Sequence, residues 1–230
     1  MAPNVTVLLP AHNEAAVIAE VIAGCRAHTP GLLEIVVVDD GSTDATAEVA
    51  DRAGARVLRM PTNQGKGAAL AYALPHLRGD TVLLLDADGQ DDPSEIPLLL
   101  TALTADVELV IGSRFIGTFN PGSISTINRY GTHAINGLFN LAFGTAVTDT
   151  QAGFRALRRE TMRGLSIQAR HYDIETDMLC QIVAAGGKVV EIPVTRSVRG
   201  GGSTDFSRVR DGLRIVRRIA LTRISLGLRR

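Results

Sequence analysis

The chain has 230 residues, 45% of them hydrophobic, and its 24 basic and 24 acidic residues leave no formal net charge. This length and composition fit one α/β domain with a buried core, or one domain with a short appendage. The neutral balance gives no indication of nucleic-acid binding. No segment has the roughly 18 uncharged apolar residues of a membrane-spanning helix, and the N-terminus lacks the basic region of a signal peptide. Cys25 and Cys180 form no CxxC or metal pattern, so we expect a protein of the reducing cytoplasm.

The charge is unevenly distributed along the chain. Residues 205–230 contain eight arginines and two acidic residues, a net charge of +6, so residues 1–204 carry −6. Such an asymmetry distinguishes the C-terminal segment from the body. We therefore predict one domain over residues 1–204 and a basic helical appendage over residues 205–230.

The first hundred residues alternate between two kinds of apolar pattern. Short continuous apolar runs are separated by segments whose apolar residues recur at steps of three and four. This pattern indicates a Rossmann-like, mostly parallel sheet with helices on both faces. The predicted strands are 5–10, 34–40, 55–60, 81–86 and 107–112, and the predicted helices are 13–28, 45–54 and 65–77.

Polar side chains stand at the ends of the predicted strands. Parallel sheets bind ligands at the carboxyl ends of their strands, which lie along one edge. We therefore expect a binding site at this edge. Its first members are His12, Asp39, Asp40, Asp86 and Asp88.

The alternation ends at Gly112. Residues 113–125 are rich in Gly, Ser, Phe and Asn, which predicts a long functional loop. Residues 196–207 (RSVRGGGSTDFS) predict a flexible, glycine-rich loop before a final helix. The other elements predicted here are a helix over 125–143, an extended segment over 148–158, helices near 160–165 and 173–186, and a strand over 188–194.

The segment LLLDADGQDDP (83–93) ends a buried strand with an acidic cluster. Asp86 and Asp88 are two residues apart, so both carboxylates can reach one Mg²⁺ or Mn²⁺, with water and phosphate oxygens as further ligands. Gln90 continues the spacing as a third candidate ligand. The alternative is an acidic turn that caps the next helix, a role that fits Asp92 or Ser94 better.

Two further segments contain candidate ligands for a nucleotide. In VVVDDGSTD, Asp39 and Asp40 can accept hydrogen bonds from a nucleobase or a ribose, whereas Ser42 and Asp44 fit turn and cap roles. NQGKGAAL (63–70) places Lys66 at a helix N-terminus, which favours anions. It is not a Walker loop, and a solvated lysine is the alternative.

Arginines and acids in the second half of the chain are candidates for phosphate and sugar contacts. Arginine makes charge-assisted, often bidentate bonds to phosphate, although a surface position is the alternative for each. Glu175 in YDIETDML is a candidate for a sugar contact or a base, with an exposed helix face as the alternative. The remaining candidates are Arg114 in GSRF, Arg129, and Asp149, Gln151 and Arg155 in DTQAGFR.

The final helix is amphipathic. Arginines occupy much of the surface of this helix outside its apolar stripe. Such a helix can lie in a membrane interface that contains anionic lipid. Packing on its own domain or at a dimer contact is the alternative. The apolar residues that recur at steps of three and four are Val209, Leu213, Val216, Ala220 and Ile224.

The chain resembles glycosyltransferase family 2, which has a GT-A fold, in seven segments that occur in the family's order. The segments are LPAHNEA, VVVDDGSTD, NQGKGAAL, DADGQDDP, GSRF, DTQAGFRA and IPV…GGGST. The resemblance spans about Val5 to Leu221 and is greatest to the dolichyl- or polyprenyl-phosphate mannosyl- and glucosyltransferases. It implies a catalytic domain over 1–204 that moves a hexose from UDP-glucose or GDP-mannose to a polyprenyl phosphate, with inversion and with Mg²⁺ or Mn²⁺.

The resemblance also implies roles for individual residues. Asp86, Asp88 and Gln90 would be the metal ligands, with Asp88 also catalytic. Arg114 and Arg129 would receive the acceptor phosphate. Glu175, a candidate from its own segment, is added to these as a catalytic residue. The residues that would hold the nucleoside of the donor are Pro10, His12, Glu14, Asp39 and Asp40. The segments described above add Lys66, Asp86 and Gln151 as candidates for further donor contacts.

The chain departs from this family in two respects. Many members have Tyr where this chain has His12, which weakens the case for base stacking there. Many also carry membrane-spanning helices after the catalytic domain. The basic final helix at the cytoplasmic membrane face, or a separate membrane-protein partner, would take their place. A homo-oligomer is a further expected partner. NQGKGAAL and DTQAGFRA favour the UDP-glucose branch.

Three other functions are alternatives. A GT-A transferase with a soluble acceptor would share every donor residue. A nucleotidyltransferase would need a glycine-rich loop after the first strand, where this chain has PAHNEA. A non-catalytic sugar-nucleotide-binding subunit would have no need of the intact pair of acidic residues, Asp86 and Asp88.

Overall fold

The computed structural model describes residues 4–167, 169–200 and 208–227. Within these ranges the chain forms seven strands and eight α-helices. The strands are β1 (Val5–Ala11), β2 (Leu32–Asp39), β3 (Arg56–Arg59), β4 (Thr81–Leu84), β5 (Leu109–Phe119), β6 (Arg155–Arg158) and β7 (Val189–Arg196). The helices are α1 (Ile18–His28), α2 (Thr46–Arg52), α3 (Lys66–Ala73), α4 (Ile96–Ala102), α5 (Thr126–Phe143), α6 (Arg159–Gly164), α7 (Ile174–Ala184) and α8 (Arg208–Gly227).

The strands form one sheet in the order β3-β2-β1-β4-β6-β5-β7. Strand β6 runs antiparallel to both of its neighbours, and the other described pairs are parallel. The register aligns the last residues of β1 and β2, since Ala11 pairs with Asp39. The prediction of a mostly parallel, Rossmann-like sheet flanked by helices is confirmed.

Two hydrophobic layers cover the sheet, one on each face. Alternate strand residues such as Leu8 and Leu84 pack with helices α3, α5, α7 and α8. Their sequence neighbours Leu9 and Leu83 pack with α1, α2 and α4 on the opposite face. The central strands are apolar at nearly every position because both of their faces are buried.

The prediction of a long loop over 113–125 is wrong. Strand β5 continues to Phe119 and pairs with β7 again at Thr118 and Phe119, after an irregular stretch from Ser113. Gly117 lies so near the backbone of Val194 that a side chain would not fit there. Small and polar residues therefore mark a close strand contact here, where composition alone indicated a loop. The predicted extended segment over 148–158 is a strand only at Arg155–Arg158.

Helix α8 packs on the body through a different face from the predicted apolar stripe. Ile215 and Ile219 are buried in the layer shared with α5 and α7. Leu213 is 66% exposed and Ile224 59% exposed on the opposite side of the helix, and the side chain of Val209 lies outside the described part. In the described ranges no helix is long and apolar enough to cross a membrane.

Candidate active site

The carboxyl ends of β1, β2, β4 and β7 lie along one edge of the sheet because these strands run in the same direction. Strand β6 runs the opposite way, so the loop 149–154 that precedes it reaches the same edge. The predicted acidic residues, the DTQAG loop and the chain after β7 therefore meet there. This edge is the candidate site.

The loops that follow β1 and β2 are bonded to each other. Asn13 adopts a φ of 56°, its backbone N–H donates to Ser42 Oγ at 3.0 Å, and its side-chain oxygen accepts from Thr43 N at 2.8 Å. His12 Nδ1 lies 2.9 Å from the Asp40 carbonyl oxygen. A carbonyl can only accept, so this nitrogen carries the proton, which fixes the orientation of the ring.

The two carboxylates at the end of β2 are buried and shape the surrounding loops. Asp39 accepts a hydrogen bond from Ser42 N at 2.9 Å. Asp40 accepts from Gln64 N at 2.8 Å and from Gly65 N at 2.7 Å. Asp40 thus holds the NQGKG loop against β2.

The N-terminus of α3, predicted to bind an anion, is occupied by the chain itself. Gly67 N and Ala68 N donate to the Arg170 carbonyl oxygen at 3.0 and 3.4 Å. Together with the bonds to Asp40, these contacts use the amides that a phosphate would meet at a free helix end. The contribution of this segment to the site is the side chain of Lys66.

Lys66 joins two acidic residues across the site. Its Nζ lies 2.5 Å from both Asp86 Oδ1 and Glu175 Oε1. Burial would raise the pKa of Asp86, but the ammonium of Lys66 outweighs it and lowers that pKa to about 2. Because Lys66 and Glu175 are both largely buried, the alternatives of a solvated lysine and of an exposed helix face at Glu175 are wrong. Pro10 borders a cavity of about 10 Å³ beside this cluster, enough for about one water molecule.

Asp88 forms a second charged cluster with Glu14 and Arg199. The Arg199 guanidinium is ion-paired with Glu14 and lies 3.2 Å from Asp88 Oδ2. Burial and the charge of Asp86 raise the pKa of Asp88. Burial also raises the pKa of Glu14 to about 7, with Arg199 opposing the shift. Glu14 Oε2 is buried and has no hydrogen-bond partner among the described residues.

The end of β7 binds the turn that follows β4. Arg196 lies 2.8 Å from Asp91 Oδ1 and 2.7 Å from Gln90 Oε1. The amide nitrogen of Gln90 donates to the Ser197 carbonyl oxygen at 3.0 Å. Both polar atoms of the Gln90 side chain are thus bonded to the end of β7. A metal ion that used Gln90 Oε1 as a ligand would have to displace Arg196 from that oxygen.

Arg114 is held by a buried carboxylate. Its Nε and Nη2 lie 2.6 and 2.8 Å from the two oxygens of Asp149. Glu191 in turn accepts from Thr148 N at 2.8 Å and from Asp149 N at 2.9 Å. This bidentate arrangement fixes the guanidinium at the end of the regular part of β5.

Arg129 lies in an open pocket of about 390 Å³ at the start of α5. The pocket is lined by Ile124, Thr126, Tyr130 and His133 as well as Arg129. The guanidinium carbon of Arg129 lies 5.5 Å from the centre of the Phe119 ring, a cation–π distance. An exposed arginine therefore sits among aromatic and apolar side chains.

Arg155 is completely buried, contrary to its interpretation as a phosphate contact. Its guanidinium donates to the carbonyl oxygens of Ala152 at 2.7 Å, Glu175 at 2.7 Å and Thr150 at 3.0 Å. It thereby ties the DTQAG loop to the start of α7. Gln151 of this loop donates to Thr176 Oγ1 at 2.6 Å.

Arg196 and Arg199 are members of the candidate site that were not predicted from the sequence. Arg196 is the last residue of β7, which runs in the same direction as β4, so the strand-end argument applied to β7 would have found it. Arg199 lies in the segment that was predicted only as a flexible loop. Its role depends on the loop's path across the sheet edge, for which the sequence contains no local signal.

Asp86 and Asp88 fit a divalent metal ion by their chemistry and surroundings. Both are hard carboxylate donors at the end of β4, and a partnerless oxygen of Glu14 is buried in the same cluster. Gly153 leaves room for the Asp86 carboxylate, since a Cβ at position 153 would lie 2.8 Å from both of its oxygens. No group of three or more His, Cys, Asp or Glu side chains in the described part could enclose an ion, so substrate and water oxygens would complete the coordination.

Comparisons with known proteins identify the family of the chain. Residues 6–165 match the model of glycosyl transferase family 2. The chain is 36% identical over 210 residues to glycosyltransferase AglJ of Haloferax volcanii, covering 90% of this chain and 68% of AglJ. It is 32% identical over 216 residues to the undecaprenyl-phosphate mannosyltransferase of Micrococcus luteus, covering 89% of this chain and 88% of that protein.

A solved structure has the same fold. Glucosyl-3-phosphoglycerate synthase of Mycobacterium tuberculosis, crystallised with Mn²⁺, UDP-glucose and phosphoglyceric acid, superimposes with a TM-score of 0.73 and 26% sequence identity. The alignment covers 97% of this chain and 79% of that one. The chain therefore belongs to glycosyltransferase family 2 and is a glycosyltransferase with a GT-A fold.

Proposed function

We propose that the protein transfers a hexose from a nucleotide sugar, UDP-glucose or GDP-mannose, to a polyprenyl phosphate, with inversion at the sugar carbon. The polyprenyl acceptor is supported by the name of the Micrococcus luteus relative, an undecaprenyl-phosphate mannosyltransferase. The nucleotide donor and a divalent ion are supported by the Mycobacterium tuberculosis synthase, crystallised with UDP-glucose and Mn²⁺.

The observation that carries the acceptor assignment is the position of Arg129. It is an exposed cation in a pocket that Ile124 and Tyr130 also line, at the start of α5, which exposes Ile127 and Leu141. A ligand with an anionic head and an apolar tail matches this combination of groups. Arg114 stands nearby in the chain but is bound by Asp149, so Arg129 is the principal contact for the phosphate.

On the donor side, Pro10, His12, Glu14, Asp39 and Asp40 hold the nucleoside in this proposal. Asp86 and Asp88, with Gln90, hold Mg²⁺ or Mn²⁺ beside the diphosphate. The bound ion supplies a positive charge that stabilises the leaving nucleoside diphosphate. Lys66 and Gln151 complete the donor contacts, and Glu175 positions Lys66 and a sugar hydroxyl.

The reaction needs orientation more than proton transfer. A phosphate oxygen of the acceptor forms a bond to the anomeric carbon while the bond from that carbon to the diphosphate oxygen breaks. The acceptor phosphate is already ionised near neutral pH, so no base has to remove a proton from it. Arg129 holds it on the face opposite the leaving group, and correct placement contributes most of the rate.

A transfer assay tests this proposal. Purified protein is mixed with undecaprenyl phosphate, Mg²⁺ or Mn²⁺, and labelled UDP-glucose or GDP-mannose, and the product is extracted into organic solvent. We expect label in the organic phase from one of the two donors, and none when EDTA is added. No label from either donor, although donor binds in a metal-dependent manner, would contradict a lipid acceptor.

A soluble acceptor is the second candidate function. It is supported by the fold similarity to the Mycobacterium tuberculosis synthase, which was crystallised with phosphoglyceric acid. The same assay, with water-soluble phosphorylated acids as acceptors and with the aqueous phase analysed, distinguishes the two. We expect no soluble product.

The outer faces of α5 and α8 support a membrane contact. On α5, Ile127 is 65%, Tyr130 72% and Leu141 85% exposed, and the helix contains no acidic residue. Helix α8 packs beside it and exposes Leu213 and Ile224. The only acidic residue of α8, Asp211, is buried and paired with Arg214, whereas Arg210, Arg217 and Arg223 are exposed. We propose that these two faces lie on a bilayer that contains anionic lipid.

Glutamate substitutions on these faces test the membrane contact. We expect Leu141→Glu on α5 and Leu213→Glu on α8 each to weaken binding to phosphatidylglycerol vesicles by about tenfold, the cost of keeping one leucine out of an apolar phase. Flotation with the vesicles measures the binding. The control is Leu98→Glu, because Leu98 is 53% exposed on α4, on the opposite face of the sheet. Unchanged flotation of both variants, together with loss of a dimer in one of them, would identify a protein interface instead.

Arg129→Ala tests the acceptor assignment. We expect kcat/KM for the polyprenyl phosphate to fall about 10- to 100-fold, because a charge-assisted hydrogen bond contributes about 1.5–3 kcal/mol. The dissociation constant of the nucleotide sugar, measured by calorimetry, should not change. Arg163→Ala, at an exposed arginine on α6, is the control. A loss of donor affinity in Arg129→Ala would place this arginine on the donor side.

A further inference from the structure

The guanidinium of Arg199 neutralises part of the negative charge of Glu14 and Asp88. It is ion-paired with Glu14 and lies 3.2 Å from Asp88 Oδ2, so one guanidinium joins the segment after β1 to the turn after β4. Both carboxylates are buried, whereas the Arg199 side chain is 25% exposed. Arg196 also lies 3.7 Å from Asp88 Oδ2, so two guanidinium groups of the protein neutralise these carboxylates when no donor is bound, and Arg199 is the nearer of the two to Asp88.

The chain after β7 holds Arg199 in this position through its backbone. Ser197 N donates to the Gln90 carbonyl oxygen at 2.8 Å, and Gly200 N donates to the Asp88 carbonyl oxygen at 3.2 Å. Gly200 packs against Val17, the residue before α1, so closely that a Cβ at position 200 would lie 2.7 Å from Val17 Cγ1. Segment 197–200 thus crosses the acidic turn and is bonded to both of its ends.

A divalent ion and the Arg199 guanidinium cannot both be the close partner of Asp88. An ion that binds Asp88 without donor must displace the Arg199 guanidinium from Glu14 and Asp88, and the loss of these two buried ion pairs opposes binding. A nucleoside diphosphate brings new anionic oxygens to the same edge and can receive the released guanidinium. When the donor is bound, the free-energy cost of displacing Arg199 is therefore smaller than when the ion binds alone.

We infer that Arg199 couples the binding of the divalent ion to the binding of the nucleotide, so that the ion binds tightly only with the donor. This inference rests on the proposed donor and metal. Coupling of this kind is reciprocal, so the ion increases the affinity for the nucleotide by the same factor as the nucleotide increases the affinity for the ion. Arg199 is a positioning residue in this scheme, because it acts through Asp88.

Mn²⁺ titrations of the full chain test the inference without any measurement of activity. Free Mn²⁺ is followed by electron paramagnetic resonance, with and without saturating UDP, for the wild type and for Arg199→Gln. We expect Arg199→Gln to bind Mn²⁺ alone at least about fivefold more tightly than the wild type. We also expect the gain in Mn²⁺ affinity on adding UDP to be at least about fivefold smaller in the variant.

Two further variants make the result specific. Arg199→Lys keeps the charge and should bind Mn²⁺ alone with nearly wild-type affinity. Arg59→Gln removes an exposed ion pair with Glu48 and should match the wild type in both titrations.

Two results would overturn the inference, and they separate it from the proposed function. If Mn²⁺ binds the wild type with UDP but binds Arg199→Gln alone no more tightly than the wild type, only the coupling role of Arg199 is wrong. If Mn²⁺ binds neither protein even with UDP, the proposed metal dependence is wrong as well.

Discussion

Replacing Asp88 by asparagine should lower the rate of hexose transfer by about 10²- to 10³-fold without loss of the fold. In the proposed function Asp88 holds the divalent ion beside the leaving diphosphate, and asparagine has no charge with which to do so. Losing one element of transition-state charge stabilisation costs about 3–4 kcal/mol, which corresponds to this factor. The measurement is kcat/KM for the nucleotide sugar at saturating Mn²⁺, together with the Mn²⁺-dependent dissociation constant of UDP.

The fold should survive this change because the ionised carboxylate of Asp88 is not favoured by folding. Burial and Asp86 raise its pKa, so the folded chain holds a proton at Asp88 more tightly than the unfolded chain does. The contribution of this group to the free energy of unfolding therefore decreases as the pH rises above its unfolded pKa. At pH 7 the melting temperature should therefore stay close to that of the wild type, because Arg199 keeps its ion pair with Glu14 and Arg196 keeps its ion pair with Asp91.

Asp92→Asn is the matched control for Asp88→Asn. Asp92 lies in the same acidic segment, but its carboxylate accepts a hydrogen bond from Ser94 N at 2.9 Å, a capping role that asparagine can also perform. Its transfer rate should remain within about threefold of the wild type. Less than a tenfold loss in Asp88→Asn would remove Asp88 from the proposed metal site.

The location of the site could be predicted from the sequence because it follows from strand direction alone. Apolar runs identify the parallel strands, and parallel strands bring the residues that follow them to one edge. Asp39, Asp40, Asp86 and Asp88 needed no further information. The capping role of Asp92 could also be predicted, since it depends on residues two positions away.

Partners that are distant in the chain could not be predicted in this way. Lys66 meets Asp86 and Glu175 only because α7 packs beside α3 on one face of the sheet. The same limit applies to α8, which has apolar residues on two opposite faces. Periodicity identified the stripe with Leu213 and Ile224, but Ile215 and Ile219 make the contact with the body, because complementarity to α5 and α7 decides which face is buried.

Replacing Arg155 by methionine should lower the free energy of unfolding by about 3–5 kcal/mol. Methionine approximates the volume of arginine, but it leaves the carbonyl oxygens of Thr150, Ala152 and Glu175 buried without the donors that now satisfy them. An unsatisfied buried polar group costs about 1–3 kcal/mol. Burial lowers the pKa of Arg155, while Glu175 and Asp149 oppose this shift, so relief of a buried charge offsets only part of the loss. Urea unfolding monitored by circular dichroism gives the difference.

Arg158→Met separates this effect from the loss of any arginine in β6. Arg158 also donates to carbonyl oxygens, Val107 O and Thr104 O, but its side chain is 30% exposed, so water can replace it and the cost should be about 1 kcal/mol or less. If Arg155→Met is no less stable than Arg158→Met, the DTQAG loop does not depend on this guanidinium. If it is much less stable, the loop that brings Gly153 against Asp86 and the helix that brings Glu175 to Lys66 are held together by one buried side chain. The positions of Asp86 and Glu175, the two acidic partners of Lys66, then depend on Arg155, which contacts neither the donor nor the acceptor in the proposed function.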